Sequence, residues 1–204
     1  MDITASSTFA RLREKLIQRP DSEHQQAIIR LVIGLIGSGY LVTAVMNDSV
    51  ISADEWHVIW LAVSFVSISV AILLRILIHP KVSVSRRMLG IVLDVGTNTT
   101  VLYLMEEAGT AVYGIYLWVA FGNGFRYGPY YLYAATVLSV IGFVFVLVTS
   151  EYWNAHRSLG AGLLIALIVL LMYVASLVRQ LQAALARAKE ASQAKRQFLA
   201  NMRH

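Results

Sequence analysis

From Leu159 to Val178 the chain runs twenty residues without a charge, enough for a helix to cross the roughly 30 Å of a bilayer's hydrocarbon core. Such a run dictates the fold more than any other feature. Inside lipid, every backbone amide and carbonyl must be satisfied within the segment or by a closed barrel, and a long apolar run selects the helix. Further apolar runs lie at about Ala27–Met46, Trp56–Ile78, Met88–Met105, Ala108–Phe125 and Tyr130–Val148. With 57% hydrophobic and only 14% charged residues, these runs make most of the chain. The expected architecture is an all-α membrane protein, with a six-helix transmembrane bundle over residues 21–178.

The connectors assign sides. Asn47–Glu55 carries Asp48, Asp54 and Glu55 but no Lys or Arg, and reads as outward-facing; Lys81, Arg86 and Arg87 mark the next loop as cytoplasmic. Six spans put both termini in the cytoplasm. The fourth run has 18 residues, crosses about 27 Å and is rich in glycine. Were it re-entrant, a five-span alternative would place the N-terminus outside. The first 25 residues lack the apolar core and the A-x-A site of a cleavable signal peptide, so none is expected. Phe9, Leu12, Leu16 and Ile17 share one helical face among Arg11, Arg13, Lys15 and Arg19, which suits a helix lying on an anionic leaflet, although a frayed basic tail fits too. Pro20 ends this segment, and Ser22 with Gln25 forms a capping box for the next.

Lys and Arg number 17 against 12 acids, and the excess sits outside the apolar runs, so it reads as topology and lipid contact and not as a nucleic-acid surface. No cysteine means no disulfide, thiolate metal site or c-type haem attachment. His24, His57, His79 and His156 are scattered at segment ends, which supports no metal site. All four lysines, at 15, 81, 189 and 195, lie outside the runs, so no retinal Schiff base is expected.

After Val178 no Gly or Pro interrupts the chain. Val178, Leu181, Leu185 and Ala188 alternate spacings of three and four, the apolar seam of a dimeric coiled coil over residues 179–204. Ser192 and Lys195 break the seam, and Phe198, Leu199 and Met202 resume it.

The run Phe198-Leu-Ala-Asn-Met-Arg-His204 resembles the phosphoacceptor box of sensor histidine kinases, ordinarily F-L-A-N-M-S-H followed by E-[FL]-R-T-P, with Arg203 in the place of Ser. Asp21-Ser22-Glu23-His24 and Phe121-Gly-Asn-Gly-Phe-Arg-Tyr-Gly128 resemble the RpfC family of hybrid sensor kinases, which detect diffusible signal factor, a cis-2-unsaturated fatty acid. The resemblance extends from Asp21 to His204 and implies a multi-pass sensor in the bacterial inner membrane with a cytoplasmic C-terminus, acting as a homodimer in contact with the lipid bilayer. It implies His204 as phosphoacceptor, and Asp21, Ser22, Glu23 and Gln26 as the ligand-sensing segment. In that family the segment before the first span is regarded as exported, against the basic N-terminus here. No cofactor is expected in this stretch. ATP and Mg2+ would serve the full-length kinase, and a receiver or response-regulator domain would be its downstream partner.

The residues themselves suggest chemistry too. Imidazole is a good nucleophile near neutral pH, so a helix-borne His204 can take a phosphoryl group from ATP held elsewhere. Asp94 near mid-membrane must be neutral, watered or paired. Arg30 enters from the same side at comparable depth, so the two are expected to pair, with Asn98 one turn on and Arg126 joining at the inner mouth. Such a pair is either a static bond or a contact that differs between signalling states. Trp118, Asn123 and Tyr127 are candidates for an acyl pocket with Arg126 on the carboxylate; the same aromatics equally suit an interfacial belt. A transporter or channel with the polar third span lining a path is the alternative reading. The unbroken C-terminal helix and the lack of inverted repeats weigh against it.

Overall fold

A computed structural model describes residues 23–46, 53–79 and 82–202. The basic N-terminal segment, Asp21, Ser22 with its capping box, and His204 lie outside them. Regular structure among the described residues is helical throughout, in two compact units that meet in the chain between Tyr113 and Gly114.

The first unit holds α1 (Glu23–Met46), α2 (Ala53–Ile78), α3 (Val84–Leu104), the single turn α4 (Glu106–Gly109) and a 3-10 turn at Thr110–Val112. α1 and α2 are antiparallel. Gly34 lets α1 approach α2 closely, because a Cβ there would overlap the Phe65 ring. Two turns earlier, Ala27 packs with Ile72 and Ile76, joined by Leu73 and by Leu93 of α3. α3 starts on the Ser83 cap, whose hydroxyl accepts from the Arg86 amide at 3.4 Å. Within α3, Thr99 and Thr100 hydroxyls donate to the carbonyls of Val95 and Gly96 at 2.8 and 2.9 Å, which satisfies polar groups in an otherwise apolar helix.

The second unit holds α5 (Ile115–Tyr127), α6 (Pro129–Thr149), the short α7 (Glu151–Ala155) and α8 (Arg157–Asn201). α5 and α6 form a hairpin around Gly128, at φ 96° and ψ 179°, a backbone region open almost only to glycine. Pro129 follows as the first residue of α6, where its missing N–H costs nothing. A Cβ at Gly128 would sit 3.0 Å from the Gln182 amide nitrogen, so this turn touches α8. Leu132 of α6 packs with Ala175 and Val178 of α8. At the other end Phe143 makes edge contacts with Tyr116 and Trp153, at centroid distances of 6.1 and 5.4 Å.

Among the described residues, four helices are long and apolar enough to cross a membrane: α1, α2 from Trp56, α6, and α8 from Arg157 to Phe198. Two of the six expected spans differ. α3 has the length, with 21 residues, but carries Asp94, Asn98 and three threonines. The expected fourth span, Ala108–Phe125, is not one helix. α3 closes with the Met105 amide on Val101 O, Glu106 takes a left-handed φ of 45°, and α4 folds back over the end of α3. Gly109 permits this, because a Cβ there would meet Val101 O at 3.0 Å and the Leu102 Cα at 3.1 Å. Tyr40 Oη donates to Ala108 O at 2.9 Å and fixes the turn to the end of α1. What remains, α5, has 13 residues and covers only about 20 Å.

α8 is the longest element, 45 residues or about 67 Å without a break. Leu167, Leu171, Ala175 and Val178 are buried along one stripe. From Arg179 to Phe198 every side chain is exposed, Leu181 and Leu185 of the expected seam included.

Candidate functional site

The first unit buries an unusual number of ionised groups, and they lie in two rungs between α1 and α3. α1 turns Glu23, Gln26, Ala27 and Arg30 inward, successive positions on one helical face. α3 turns Gly90, Ile91, Asp94, Val95 and Asn98 inward for the same reason. Both helices begin at the same end of the unit, so a seven-residue step on one matches a seven-residue step on the other: Glu23 to Arg30, and Arg87 to Asp94.

At the first rung the Glu23 carboxylate is only 2% exposed and is held at both oxygens. Oε1 accepts from Arg87 Nε at 2.6 Å and from the Ser83 amide at 3.3 Å. Oε2 accepts from Arg86 Nε at 3.0 Å and from a second nitrogen of the same guanidinium. Arg86 also donates to His79 O at 3.3 Å, which ties the end of α2 into the cluster. Two guanidiniums from successive residues of α3 thus meet on one carboxylate of α1.

At the second rung the polarity reverses. Arg30 Nε donates to Asp94 Oδ1 at 2.6 Å, with both side chains 7% exposed. The Arg30 guanidinium lies over Gly90, where a Cβ would overlap it, so the glycine makes the space that the cation fills. A bond between ionised groups is among the stronger hydrogen bonds, and removal of either partner would leave the other charge buried. One turn further, Asn98 is 3% exposed and neither atom of its amide has a hydrogen-bond partner.

The structure thus brings together Glu23, Gln26, Arg30, Asp94 and Asn98 on facing surfaces of α1 and α3. Arg126 is half-buried in the last turn of α5, in the second unit. The acyl-pocket candidates do not share a face there. Trp118 is 44% exposed, whereas Asn123, five residues on, is buried and donates its amide to Val119 O at 2.7 Å. Tyr127 stacks edge-on against Tyr131 at 5.4 Å. Residues five apart on a helix point about 140° apart, which separates Trp118 from Asn123.

Sequence reasoning missed the partnership of Glu23 with Arg86 and Arg87, having read the arginines as a topology signal alone. The matching seven-residue spacings were the available clue. Arginines just outside a span ordinarily meet lipid headgroups, and that expectation hid a protein carboxylate as their partner.

No family model matches the chain, and no solved structure does. Over 194 residues, 95% of its length, it is 36% identical to "Sensory/regulatory protein RpfC" from two strains of Xanthomonas campestris pv. campestris. It spans about a quarter, 26%, of the length of those relatives.

Proposed function

The chain belongs to the RpfC family of sensory/regulatory proteins, and from that premise we propose that it is the membrane input domain of a two-component sensor histidine kinase. Its input is a fatty-acid signal of the diffusible-signal-factor type, and its output is autophosphorylation at His204 in the full-length protein, with ATP and Mg2+ bound by a separate domain. A downstream receiver or response regulator takes the phosphoryl group. The protein sits in the bacterial inner membrane with α8 emerging into the cytoplasm and pairing with the α8 of a second copy along Val178, Leu181, Leu185 and Ala188.

The single observation that carries this reading is α8. One helix runs from the packed stripe of Leu167, Leu171 and Ala175 to Asn201, three residues before His204. A rotation or slide at the packed end reaches the far end undamped, since no Gly, Pro or non-helical residue intervenes. A two-state dimer needs only a ligand that prefers one state by a few kcal/mol.

The test uses full-length protein in liposomes supplied with labelled ATP. Label should appear at a histidine, change in extent with a cis-2-unsaturated fatty acid, and vanish in His204→Gln. Label that survives His204→Gln, or that ignores the fatty acid, overturns the reading.

A further inference from the structure

We infer that Asn98 is the reserve partner of Asp94: when the Arg30 guanidinium withdraws, the Asp94 carboxylate takes up a proton and pairs with the Asn98 amide. The second rung then has two forms, one ionised and one neutral. Neither the fatty-acid input nor His204 enters into this exchange.

Asn98 is 3% exposed, yet both ends of its amide, Nδ2 and Oδ1, are buried without a hydrogen-bond partner among the described residues. A buried amide left unmatched lowers the folded-to-unfolded ratio by about tenfold, so a residue that only filled space here would be better apolar. Its place on α3 gives it a use. Asn98 lies one turn beyond Asp94 on the inward face, and Gly90 lies one turn before it. The Arg30 guanidinium sits over Gly90, where a Cβ would overlap it, while its Nε donates to Asp94 Oδ1 at 2.6 Å. Asp94 therefore has its cation on one side and the idle amide on the other.

Once protonated, Asp94 carries one donor and one acceptor, and a primary amide offers the complement. The new O–H donates to Asn98 Oδ1, and Asn98 Nδ2 donates to the other carboxyl oxygen. The proton comes from water, and no bond between heavy atoms forms or breaks. Arg30 keeps its charge, and its long stem lets the head move from Gly90 toward the Glu23 end of α1. The exchange is confined to these residues. From Ala27 to Met46 α1 carries no charged side chain but Arg30, from Met88 to Leu104 α3 carries none but Asp94, and α2 carries none from Val58 to Leu74. A rung that is satisfied in both forms is a two-state element that any movement of α1 can bias.

The experiment introduces Asn98→Leu into two backgrounds and follows reversible unfolding of the purified chain in mixed micelles titrated with SDS. In the wild-type background the substitution removes an unmatched amide and should raise the folded-to-unfolded ratio by about fivefold. On Arg30→Leu, where the carboxyl already relies on Asn98, it should lower that ratio by about tenfold. Effects in the two backgrounds that differ by less than about tenfold overturn the proposal. A second measurement needs no Arg30 variant. The infrared difference spectrum on acidification of the chain in nanodiscs, taken against Asp94→Asn, isolates the C=O stretch of protonated Asp94. That stretch should lie at lower wavenumber in wild type than in Asn98→Leu, because a hydrogen bond to the carboxyl oxygen weakens the C=O bond. Equal wavenumbers, or no such band at any pH at which the chain stays folded, overturn the proposal as well.

Discussion

Replacing Asp94 by leucine would leave the Arg30 guanidinium buried against Gly90 with no carboxylate to answer it. The reverse change, Arg30→Leu, would leave the Asp94 carboxyl in the same place. At an effective dielectric of about 20, opposite charges roughly 4 Å apart attract by about 4 kcal/mol, and removing one member of a buried pair typically costs about 3–5 kcal/mol. The two single variants should not be equal. A stranded carboxyl can take up a proton and become neutral, whereas a guanidinium cannot lose one. Asp94→Leu should therefore fall near the upper end, about 5 kcal/mol, and Arg30→Leu near about 3 kcal/mol.

The double variant decides between a true pair and two independent sites. With both charges replaced by leucine nothing ionised remains buried at this rung, and exchange of a buried ion pair for apolar groups is often neutral or better. Arg30→Leu/Asp94→Leu should return to within about 2 kcal/mol of wild type, although the singles sum to about 8 kcal/mol. Reversible unfolding of the purified chain in mixed micelles, titrated with SDS, measures all four free energies. A double variant whose loss equals that sum would refute the pairing, and equal losses in the two singles would refute the protonation argument.

Two further substitutions probe the second unit. Gly128→Ala must hold a Cβ at φ 96° and ψ 179° and press it on Gln182, so it should lose about 1–3 kcal/mol in the same unfolding assay; a neutral result would mean the turn is not held in that conformation. The chain has no cysteine, so single cysteines report cleanly on α8 pairing: Leu185→Cys should cross-link between copies under oxidation and Arg187→Cys should not, and equal cross-linking at both would remove the coiled-coil seam.

How far these features were legible depends on what sets each one. α1, α2, α6 and α8 each contain a long apolar run, and lipid leaves such a run no choice but a helix, so their positions follow from residue type. Continuity of α8 follows likewise from the absence of Gly and Pro after Gly162. The stretch from Met105 to Gly114 does not follow. Its average apolarity suits a span, but its structure is set by Glu106 taking a left-handed φ and by Gly109 fitting against the backbone of α3, and both are tertiary facts. The acyl-pocket candidates fail to converge for a plainer reason. Trp118, Asn123 and Tyr127 were grouped by chemical character, and helical phase alone sends Trp118 away from the other two.

The ladder between α1 and α3 bears on how a signal at one end of the first unit would be felt further in. Its rungs lie seven residues apart on both helices, about 10 Å along each axis, and carry opposite polarity. A slide of α1 against α3 by one turn would therefore bring Glu23 toward position 90 or 91 and Arg30 toward position 98, exchanging each charged partner for Gly, Ile or an amide. Both rungs oppose the same movement, and neither can break alone without loading the other. Deeper in the unit the Arg30–Asp94 pair sits against Gly90, where the guanidinium already fills the available space.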